Sequence, residues 1–324
     1  MRWIFRTGTS QRKSSSAAPS RRAARRIALC LAGALLASCR PPATAPRAAD
    51  VFTVATYNLG LYGLYDRSGD GQRNEPKPAA ERAAVAEIIA RLHPDVLALQ
   101  EIGNPSALNG LLDDLRLRGL DYPHHEYLRR GDSEMNLALL SRFPITASRP
   151  RLMDVYTIGG TTQSVLRGFI EADLDLGGGE RLTVFVAHLK SRVFHPLGQT
   201  EMRRNEARLL SNYVRQALRA APDAAVLVAG DLNDTFNSAP LRLLRGADGE
   251  TLLVDLRPAD EPGGVWTHFN ASEDSYSRID YLLASPALAR RLAPAACRVD
   301  RSPPAAVASD HRPVVASFLR RPAP

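Results

Sequence analysis

Cysteine is scarce in this chain, with three residues among 324. Cys30 and Cys39 lie close to the N-terminus, so Cys297 alone remains in the body of the chain. A single cysteine excludes an intramolecular disulfide there, and stability must come from the hydrophobic core. Because no motif surrounds Cys297, we expect it to pack rather than to act as a nucleophile.

The N-terminal apolar run is short. Ile27–Ala37 follows the basic stretch Arg21–Arg26, and it is too short to cross a bilayer as a helix, which takes about 20 residues. This order is typical of a secretory signal peptide. The run ends in Leu36–Ala37–Ser38–Cys39, which resembles the cleavage box of bacterial lipoproteins, whose cysteine is lipidated after cleavage. The alternative is an ordinary secretory signal that happens to contain a cysteine.

Acidic residues are absent from residues 1–39, which carry eight basic ones. Removing these eight from the chain's 42 basic residues leaves 34, equal to its 34 acidic residues. The net charge of +8 therefore belongs to the leader, and total charge does not indicate that the body binds nucleic acid.

We predict three segments: a lipoprotein signal peptide at 1–39, a flexible tether at 40–50 and one folded domain at 51–320. Cys39 is the predicted lipidation site. The protein is then expected to be exported, anchored in a membrane by its lipid, and facing the periplasm or the cell exterior. We expect a monomer.

Four short apolar runs of the body each end in polar residues. They are Thr53–Asn58, Val96–Glu101, Thr183–His188 and Val226–Asn233. Such runs are typical of strands buried on both faces. Since ligands bind at strand ends in α/β sheets, we expect these polar ends to meet in one site.

Helical patterns separate these runs. Ala79–Leu92 is rich in helix formers with apolar residues at helical spacing, and Thr200–Ala220 has the same pattern. Further strands are predicted at Met135–Leu140, Leu166–Leu174 and Arg181–Ala187. Gly177–Gly178–Gly179 predicts a hairpin turn.

One interval along the chain recurs. Asn58 and Glu101 are 43 positions apart, and so are His188 and Asp231. Each interval encloses one predicted helix between two predicted buried strands. We therefore predict two similar halves.

The polar residues suit phosphodiester cleavage, which needs a cation, a base that activates water, and donors that stabilise the transition state. Carboxylate ligands favour Mg²⁺, Mn²⁺ or Ca²⁺. The chain supplies the carboxylates of Glu101 and Asp310, the candidate base Asp231, and the donors His188, Asn233 and His311. If the strand continues through Asp231 and Asn233, the two side chains project to one face.

Each residue also has a structural alternative. The alternatives are a solvated strand end for Glu101, a turn cap for Asp310, an ion pair with Arg278 for Asp280 and a satisfied core position for His188. The coincidence of so many such residues at strand ends favours a shared site.

Six fragments resemble, in order, the motif series of the endonuclease/exonuclease/phosphatase superfamily, the DNase I-like proteins. They are Tyr57–Leu59, Leu99–Glu101, His188–Ser191, Gly230–Asp234, Ser277–Tyr281 and Ser309–Pro313. The resemblance covers roughly Val51 to Leu319. It implies a four-layer α/β sandwich, with two packed mixed β-sheets flanked by helices and a divalent metal site at one edge. Mg²⁺ or Mn²⁺ is the implied cofactor, with Ca²⁺ as an option.

The resemblance also implies roles for individual residues. Glu101 and Asp310 would bind the metal, with Asn58 beside it. Arg167 lies where some members place a phosphate-binding arginine, and a solvent-exposed arginine at a strand edge is the alternative.

The remaining motif residues would carry the chemistry. Asp231 would orient or deprotonate the attacking water, and Asn233 and His188 would contact the scissile phosphate. His311 would stabilise or protonate at the phosphate, and Asp280 would hold its imidazole. The acidic partner that His188 has in some members is not assigned here.

Two other stretches have open roles. Trp266–Phe269 would line the cleft, or Trp266 would pack in the core. Asp66–Gly71 begins like a calcium loop, but Lys77 occupies the twelfth position, where a bidentate glutamate is needed, so a polar turn is the default.

The leading functional hypothesis is an exported, metal-dependent phosphodiesterase that hydrolyses nucleic acid by activated water in one step. The surroundings of Lys190–Ser191 and Arg203–Glu206 resemble those of secreted nucleases. The alternative is a phosphoesterase acting on lipid headgroups, as sphingomyelinase-like relatives do, or on small phosphoesters; the neutral body favours it slightly. A non-catalytic binding module would predict losses among the motif residues, and all of them are present.

Overall fold

The computed structural model describes residues 51–131, 133–246 and 249–320, which belong to one compact unit. The predicted signal peptide, the tether and Cys39 lie outside the described residues. Within the described ranges, no helix has both the length and the apolar character needed to span a bilayer.

Two six-stranded sheets form the centre of the domain. The first sheet contains, in spatial order, β15 (Leu292–Val299), β16 (Val314–Leu319), β1 (Val51–Tyr62), β2 (Val96–Ile102), β4 (Asn136–Ser141) and β3 (His124–Leu128). The second sheet contains β11 (Val254–Asp255), β14 (Asp280–Ala284), β10 (Ala225–Asp231), β9 (Glu180–His188), β8 (Phe169–Gly177) and β5 (Ile145–Ser148).

Six helices and two separate hairpins complete the described elements. The helices are α1 (Ala79–Leu92), α2 (Pro105–Leu117), α3 (Gln199–Ala220), α4 (Ala239–Arg245), α5 (Pro286–Ala289) and α6 (Ala305–Ala308). The hairpins pair β6 (Val155–Ile158) with β7 (Thr161–Ser164), and β12 (His268–Asn270) with β13 (Ser275–Ser277).

Each sheet contains one parallel pair of strands, and a helix connects the two strands of each pair. β1 and β2 pair in parallel around α1, and β9 and β10 pair in parallel around α3. The other strand pairs of both sheets are antiparallel. Parallel strands need such a crossover, so the recurring interval of the sequence corresponds to two β–α–β units.

The four layers of the predicted sandwich are helices, first sheet, second sheet and helices. Three clusters of apolar side chains lie between them. The sheets bury residues such as Val54 and Leu227 against each other. Ile88 of α1 packs on the outer face of the first sheet, and Leu210 of α3 packs on that of the second. Burial of one such side chain contributes about 1.5–3 kcal/mol.

The predicted elements agree with the structure to within a few residues. α1 has the predicted bounds, and α3 begins one residue before Thr200. The hairpin turn of Gly177–Gly179 joins β8 to β9. The strand predicted from Leu166 begins only at Phe169, because Gly168 has a positive φ of 72°, and the strand predicted to end at Asn58 continues to Tyr62.

The Asp66–Gly71 segment is a polar turn. Both carboxylate oxygens of Asp66 accept backbone N–H groups, from Gly69 at 2.7 Å and Gly71 at 2.9 Å. Lys77, at the twelfth position, is buried, and its ammonium donates to the carbonyl oxygen of Gly60 at 2.7 Å. A cation in the position of Lys77 opposes calcium binding by this segment.

Candidate active site

Strand register in the second sheet places three site residues side by side. Asp231, at the end of β10, pairs with His188 of β9 and with Asp280 of β14. Gly230 allows this approach, because a Cβ atom there would lie 1.9 Å from the carbonyl oxygen of Ala187. All three site side chains are buried.

Asn58 connects the first sheet to this row. Its side-chain nitrogen donates to Asp231 Oδ2 at 3.1 Å and to Glu101 Oε1 at 3.3 Å. The other oxygen of Glu101 accepts the N–H of Leu61 at 2.8 Å. This hydrogen-bond network assigns the amide orientation with nitrogen toward the carboxylates. Asn58 thus orients two acidic groups here, and its role as a metal ligand stays a prediction.

His311 and Asp280 form a buried pair. His311 Nδ1 lies 2.9 Å from Asp280 Oδ2, and His311 Nε2 lies 3.8 Å from Asp231 Oδ2. Burial lowers the pKa of His311, but the charges of Asp280, Asp231 and Asp310 outweigh burial and raise it. The alternative ion pair between Asp280 and Arg278 is wrong, because Arg278 binds Asp255 at 2.5 Å.

Asp231 has the environment of a general base. Burial, followed by the charge of Asp280, raises the pKa of Asp231, while the charge of His311 and the N–H of Asn233 oppose the shift. Asp231 Oδ1 accepts that N–H at 2.8 Å. A carboxylate whose pKa is raised toward neutrality holds a proton from water more effectively than an ordinary aspartate does.

His188 is buried beside the same carboxylates. Its Nε2 lies 3.4 Å from Asp231 Oδ2 and 3.9 Å from Glu101 Oε1. Burial, Arg167 and His311 lower the pKa of His188 well below its ordinary value, so the ring is neutral at pH 7. Nδ1 has no hydrogen-bond partner within the described residues, so His188 is not a fully satisfied core histidine.

The acidic partner expected for His188 in some members is not found on its Nδ1 atom. Glu134, just before β4, accepts the backbone N–H of Leu64 at 3.1 Å. Since Nδ1 has no partner in the described part of the chain, the proton of the neutral ring is best placed on Nε2, facing Asp231.

Asn233 reaches the site by a different route from the predicted one. β10 ends at Asp231, and Asn233 has a left-handed backbone with φ of 54°, so the strand does not continue through both residues. Its side-chain nitrogen donates to the carbonyl oxygen of Leu189 at 3.0 Å. Asparagine tolerates this backbone conformation better than most residues.

Arg167 shares that carbonyl group. It lies before β8 in a half-buried position, and its Nη1 donates to the Leu189 oxygen at 3.0 Å. Its Nη2 lies 3.3 Å from the sulfur of Met135. The alternative of a solvent-exposed arginine at a strand edge is therefore wrong, and Arg167 lies beside Asn233 and His188.

Two residues of α3 that lie outside the six motif fragments hold these loops. Glu206 accepts the backbone N–H of Leu166 at 3.1 Å and of Lys190 at 2.7 Å. Arg203 donates to the carbonyl oxygen of Lys190 at 3.0 Å and binds Asp234 at 2.8 Å. Both side chains are buried. The signal available in the sequence was a pair of charged residues among the apolar positions of an amphipathic helix.

Asp310 lies at the mouth of the site, between the end of β1 and the β12–β13 hairpin. Its Oδ2 lies 3.7 Å from Nε2 of His268, and the preceding Ser309 donates from its hydroxyl to the carbonyl oxygen of Asn58 at 2.9 Å. Burial raises the pKa of Asp310, but the adjacent His268 imidazole and the charge of His311 lower it overall. Asp310 is therefore a carboxylate at neutral pH, available to a cation.

Trp266 forms part of the rim rather than of the core. It is half-buried, its ring packs 4.5 Å from that of Tyr276, and the guanidinium of Arg312 lies 4.0 Å above it. Cys297, in contrast, is half-buried against the core between the sheets, as expected for a packing residue.

Two clusters of potential metal ligands occur at this edge of the described structure. Each offers three ligand atoms within 4.8 Å of one another: His268, Asp310 and His311 in one, and Asp231, Asp280 and His311 in the other. Carboxylate and imidazole groups together fit a divalent cation.

The family model described as the endonuclease/exonuclease/phosphatase family matches residues 55–311. The chain belongs to this family, whose members are metal-dependent phosphoric ester hydrolases. The search of curated proteins gives no match.

Solved structures share the fold. A truncated TDP2 from Caenorhabditis elegans is 18% identical with a TM-score of 0.55, covering 83% of this chain and 97% of that one. The human nocturnin catalytic domain with bound sulfate is 18% identical with a TM-score of 0.56, at 83% and 94% coverage. Sphingomyelinase C from Streptomyces griseocarneus is 22% identical with a TM-score of 0.55, at 83% and 99% coverage.

Proposed function

We propose that the protein is an exported phosphodiesterase that hydrolyses nucleic acid with Mg²⁺ or Mn²⁺. The observation that carries the proposal is the juxtaposition of Asp231 with His188, Asn58 and the His311–Asp280 pair. This arrangement combines a base of raised pKa with a protonated imidazole at one sheet edge.

These residues suit a one-step hydrolysis. The oxygen of water forms a bond to phosphorus while its proton moves to Asp231. The bond from phosphorus to the leaving oxygen breaks, and His311 supplies that oxygen with a proton. Asp280 keeps the His311 ring oriented and charged. Asn233 and Arg167, which both donate to the Leu189 carbonyl, would contact the phosphate.

A bound divalent cation would neutralise charge on the phosphate and the leaving oxygen. Glu101 and Asp310 would hold it, since both offer carboxylates beside the end of β1. Glu101 binds the N–H of Leu61, and the position of a Cβ on Gly60 lies 3.1 Å from Asp310 Oδ1.

The rim supports nucleic acid as the substrate class. The exposed Tyr276 offers an aromatic ring to bases, and the guanidinium of Arg312 lies over the neighbouring ring of Trp266. Stacking on aromatic side chains and positive charge along the backbone are the usual means of holding single strands.

A second substrate class has its own supporting observation. In the loop after His188, Val193 is 72% and Phe194 79% exposed. Apolar side chains projecting beside a phosphoesterase site would insert among lipid headgroups, and this feature favours the alternative of lipid headgroup hydrolysis.

The test is cleavage of plasmid DNA, RNA, sphingomyelin vesicles and a chromogenic diester by the purified protein, with Mg²⁺, Mn²⁺ or EDTA. We expect metal-dependent cleavage of nucleic acid, abolished in Asp231→Asn. Turnover of sphingomyelin without nucleic-acid cleavage would reassign the substrate. Val193→Ser with Phe194→Ser should reduce lipid turnover and leave DNA cleavage unchanged, since neither residue belongs to the phosphate site.

We also propose that Cys39 carries the lipid anchor. The sequence around it supports this proposal, and Cys39→Ala is the matched variant. Expressed in a bacterial host, the wild type should incorporate labelled palmitate and sediment with membranes, whereas the variant should do neither. A wild-type protein released into the soluble fraction without label would overturn the anchor.

A further inference from the structure

His268 lies beside a predicted metal ligand but has no role in the proposed mechanism. Its Nε2 is 3.7 Å from Asp310 Oδ2, and its ring centre is 4.5 Å from that of His311. Two atoms that bind one ion at about 2.1 Å each lie roughly 3–4 Å apart. The separation between His268 and Asp310 therefore suits joint ligation of one ion.

Backbone bonds fix this position. Phe269 donates to the carbonyl oxygen of Asp310 at 3.0 Å, and Arg312 donates to that of Thr267 at 2.7 Å. His268 is bridged to His311 in antiparallel register. The segment that carries His268 thus forms a short ladder with the Asp310 segment, so the imidazole is held near the carboxylate by main-chain contacts on both sides.

We propose that His268 is a metal ligand, and that it directs the site toward Mn²⁺ or another first-row transition ion in preference to Mg²⁺. The inference rests on the proposed metal-dependent function. Sites of carboxylate and water oxygens suit Mg²⁺, whereas an imidazole nitrogen favours transition ions. The ligand atoms of His268 and Asp310 belong to one cluster of potential ligands, and they supply one nitrogen and one oxygen, while His311 stays the acid of the proposed mechanism.

The experiment uses Mn²⁺ as the probe and needs no substrate. Binding of Mn²⁺ to the full protein is titrated by electron paramagnetic resonance, and electron spin-echo modulation then detects any coordinated imidazole nitrogen. The variants are His268→Ala and His268→Gln. His125→Ala removes an exposed histidine from β3 as the matched control, and His311→Gln separates the two imidazoles of the cluster.

We expect nitrogen modulation in the wild type, in His125→Ala and in His311→Gln, and its loss in both His268 variants. Competition between Mn²⁺ and Mg²⁺ should show the preference for Mn²⁺ falling by about tenfold or more in these variants, since even outer partners of metal ligands contribute that much affinity.

Three results would contradict the inference, and they are distinguishable from one another. Bound Mn²⁺ without nitrogen modulation in the wild type would make His268 only a neighbour of Asp310 that does not bind the ion. Modulation that survives in the His268 variants and disappears in His311→Gln would assign the ligand to His311. Absence of Mn²⁺ binding to the wild type would overturn the metal-dependent function itself.

Discussion

The two β–α–β units of the sandwich share a topology but differ in what their helices bury. In the first unit, α1 joins β1 to β2 and buries apolar residues only, such as Ile88 and Ile89. In the second, α3 joins β9 to β10 and buries Arg203 and Glu206 among its apolar residues. The same kind of crossover helix thus packs on a sheet in one half and also holds loops beside the candidate site in the other.

The two units also contribute different residues to the candidate site. The first unit contributes Asn58 and Glu101, which lie at the predicted cation site. The second contributes His188 and Asp231, which adjoin the loops held by α3 that we propose to contact the phosphate. Burying the charges of Arg203 and Glu206 costs desolvation energy. Their hydrogen bonds to the Leu166 and Lys190 segments offset part of that cost and hold those loops in position.

The largest expected effect is a loss of kcat, and its dependence on metal should differ between the residues of the two units. Asp231→Asn removes the base and should lower kcat by about 10²- to 10⁴-fold at every metal concentration. Glu101→Gln removes a predicted metal ligand, so the loss of activity in this variant should become smaller as metal is added. Steady-state kinetics over a metal titration measures both. If added metal also restored Asp231→Asn, the division of roles between the halves would be wrong.

The dependence of kcat on pH should be set by Asp231 on the acid side and by His311 on the alkaline side. Asp231 must be deprotonated, and its raised pKa means that activity is lost as pH falls through a value above that of an ordinary aspartate. His311 must be protonated, so activity is lost only as pH rises above the ordinary histidine range. Asp280→Asn should move this alkaline limb of kcat to lower pH. An unchanged limb would remove His311 as the acid.

The third prediction compares the helices themselves. Glu206→Gln leaves one acceptor for two backbone N–H groups, and the loss should destabilise the fold by about 1–3 kcal/mol. It should also lower kcat, because the Leu166 and Lys190 segments adjoin Arg167 and Leu189.

Two apolar variants are the controls for this prediction. Val214→Ala on α3 and Ile88→Val on α1 remove buried methyl groups, the second at a cost of about 0.5–1.5 kcal/mol. Both should keep kcat near the wild-type value at temperatures where they are folded. Urea unfolding and kinetics on one preparation give both quantities. Equal kcat losses in all three variants would show that α3 acts by stability alone.

The smallest effect is expected in the loop of the first unit. Asp66→Asn, in an exposed turn, should change stability by no more than about 0.5 kcal/mol. Ca²⁺ should leave the Tm of the wild type and of this variant unchanged. A calcium-dependent rise in Tm that the variant lacks would restore the calcium-loop interpretation.

Much of the fold was predictable because its signals are local. Helix α1 follows from composition and apolar spacing over Ala79–Leu92, and the turn at Gly177–Gly179 follows from its glycines. The buried strands follow from apolar runs, and the motif residues at their ends come together at one sheet edge. These patterns depend on neighbours in sequence, so they can be read without tertiary contacts.

The position of Asn233 could not be predicted in this way. Its left-handed backbone ends the strand pattern and turns its amide to the Leu189 carbonyl, a residue 44 positions away. The burial of Glu206 has the same kind of origin, since its backbone partners come from loops 40 and 16 positions earlier. Charged residues on a helix predict solvent exposure until the loops that bind them are known.

The sequence by itself determined the family, the order of the elements and the set of polar residues at the strand ends. These are properties of short segments and of residue types. The tertiary structure alone decided which of these groups touch: Asp280 with His311 rather than Arg278, Asn58 between Glu101 and Asp231, and His268 beside Asp310. The physical reason is that sheet register and the packing of the two sheets fix distances between residues that are far apart in the chain, and pKa values depend on those distances.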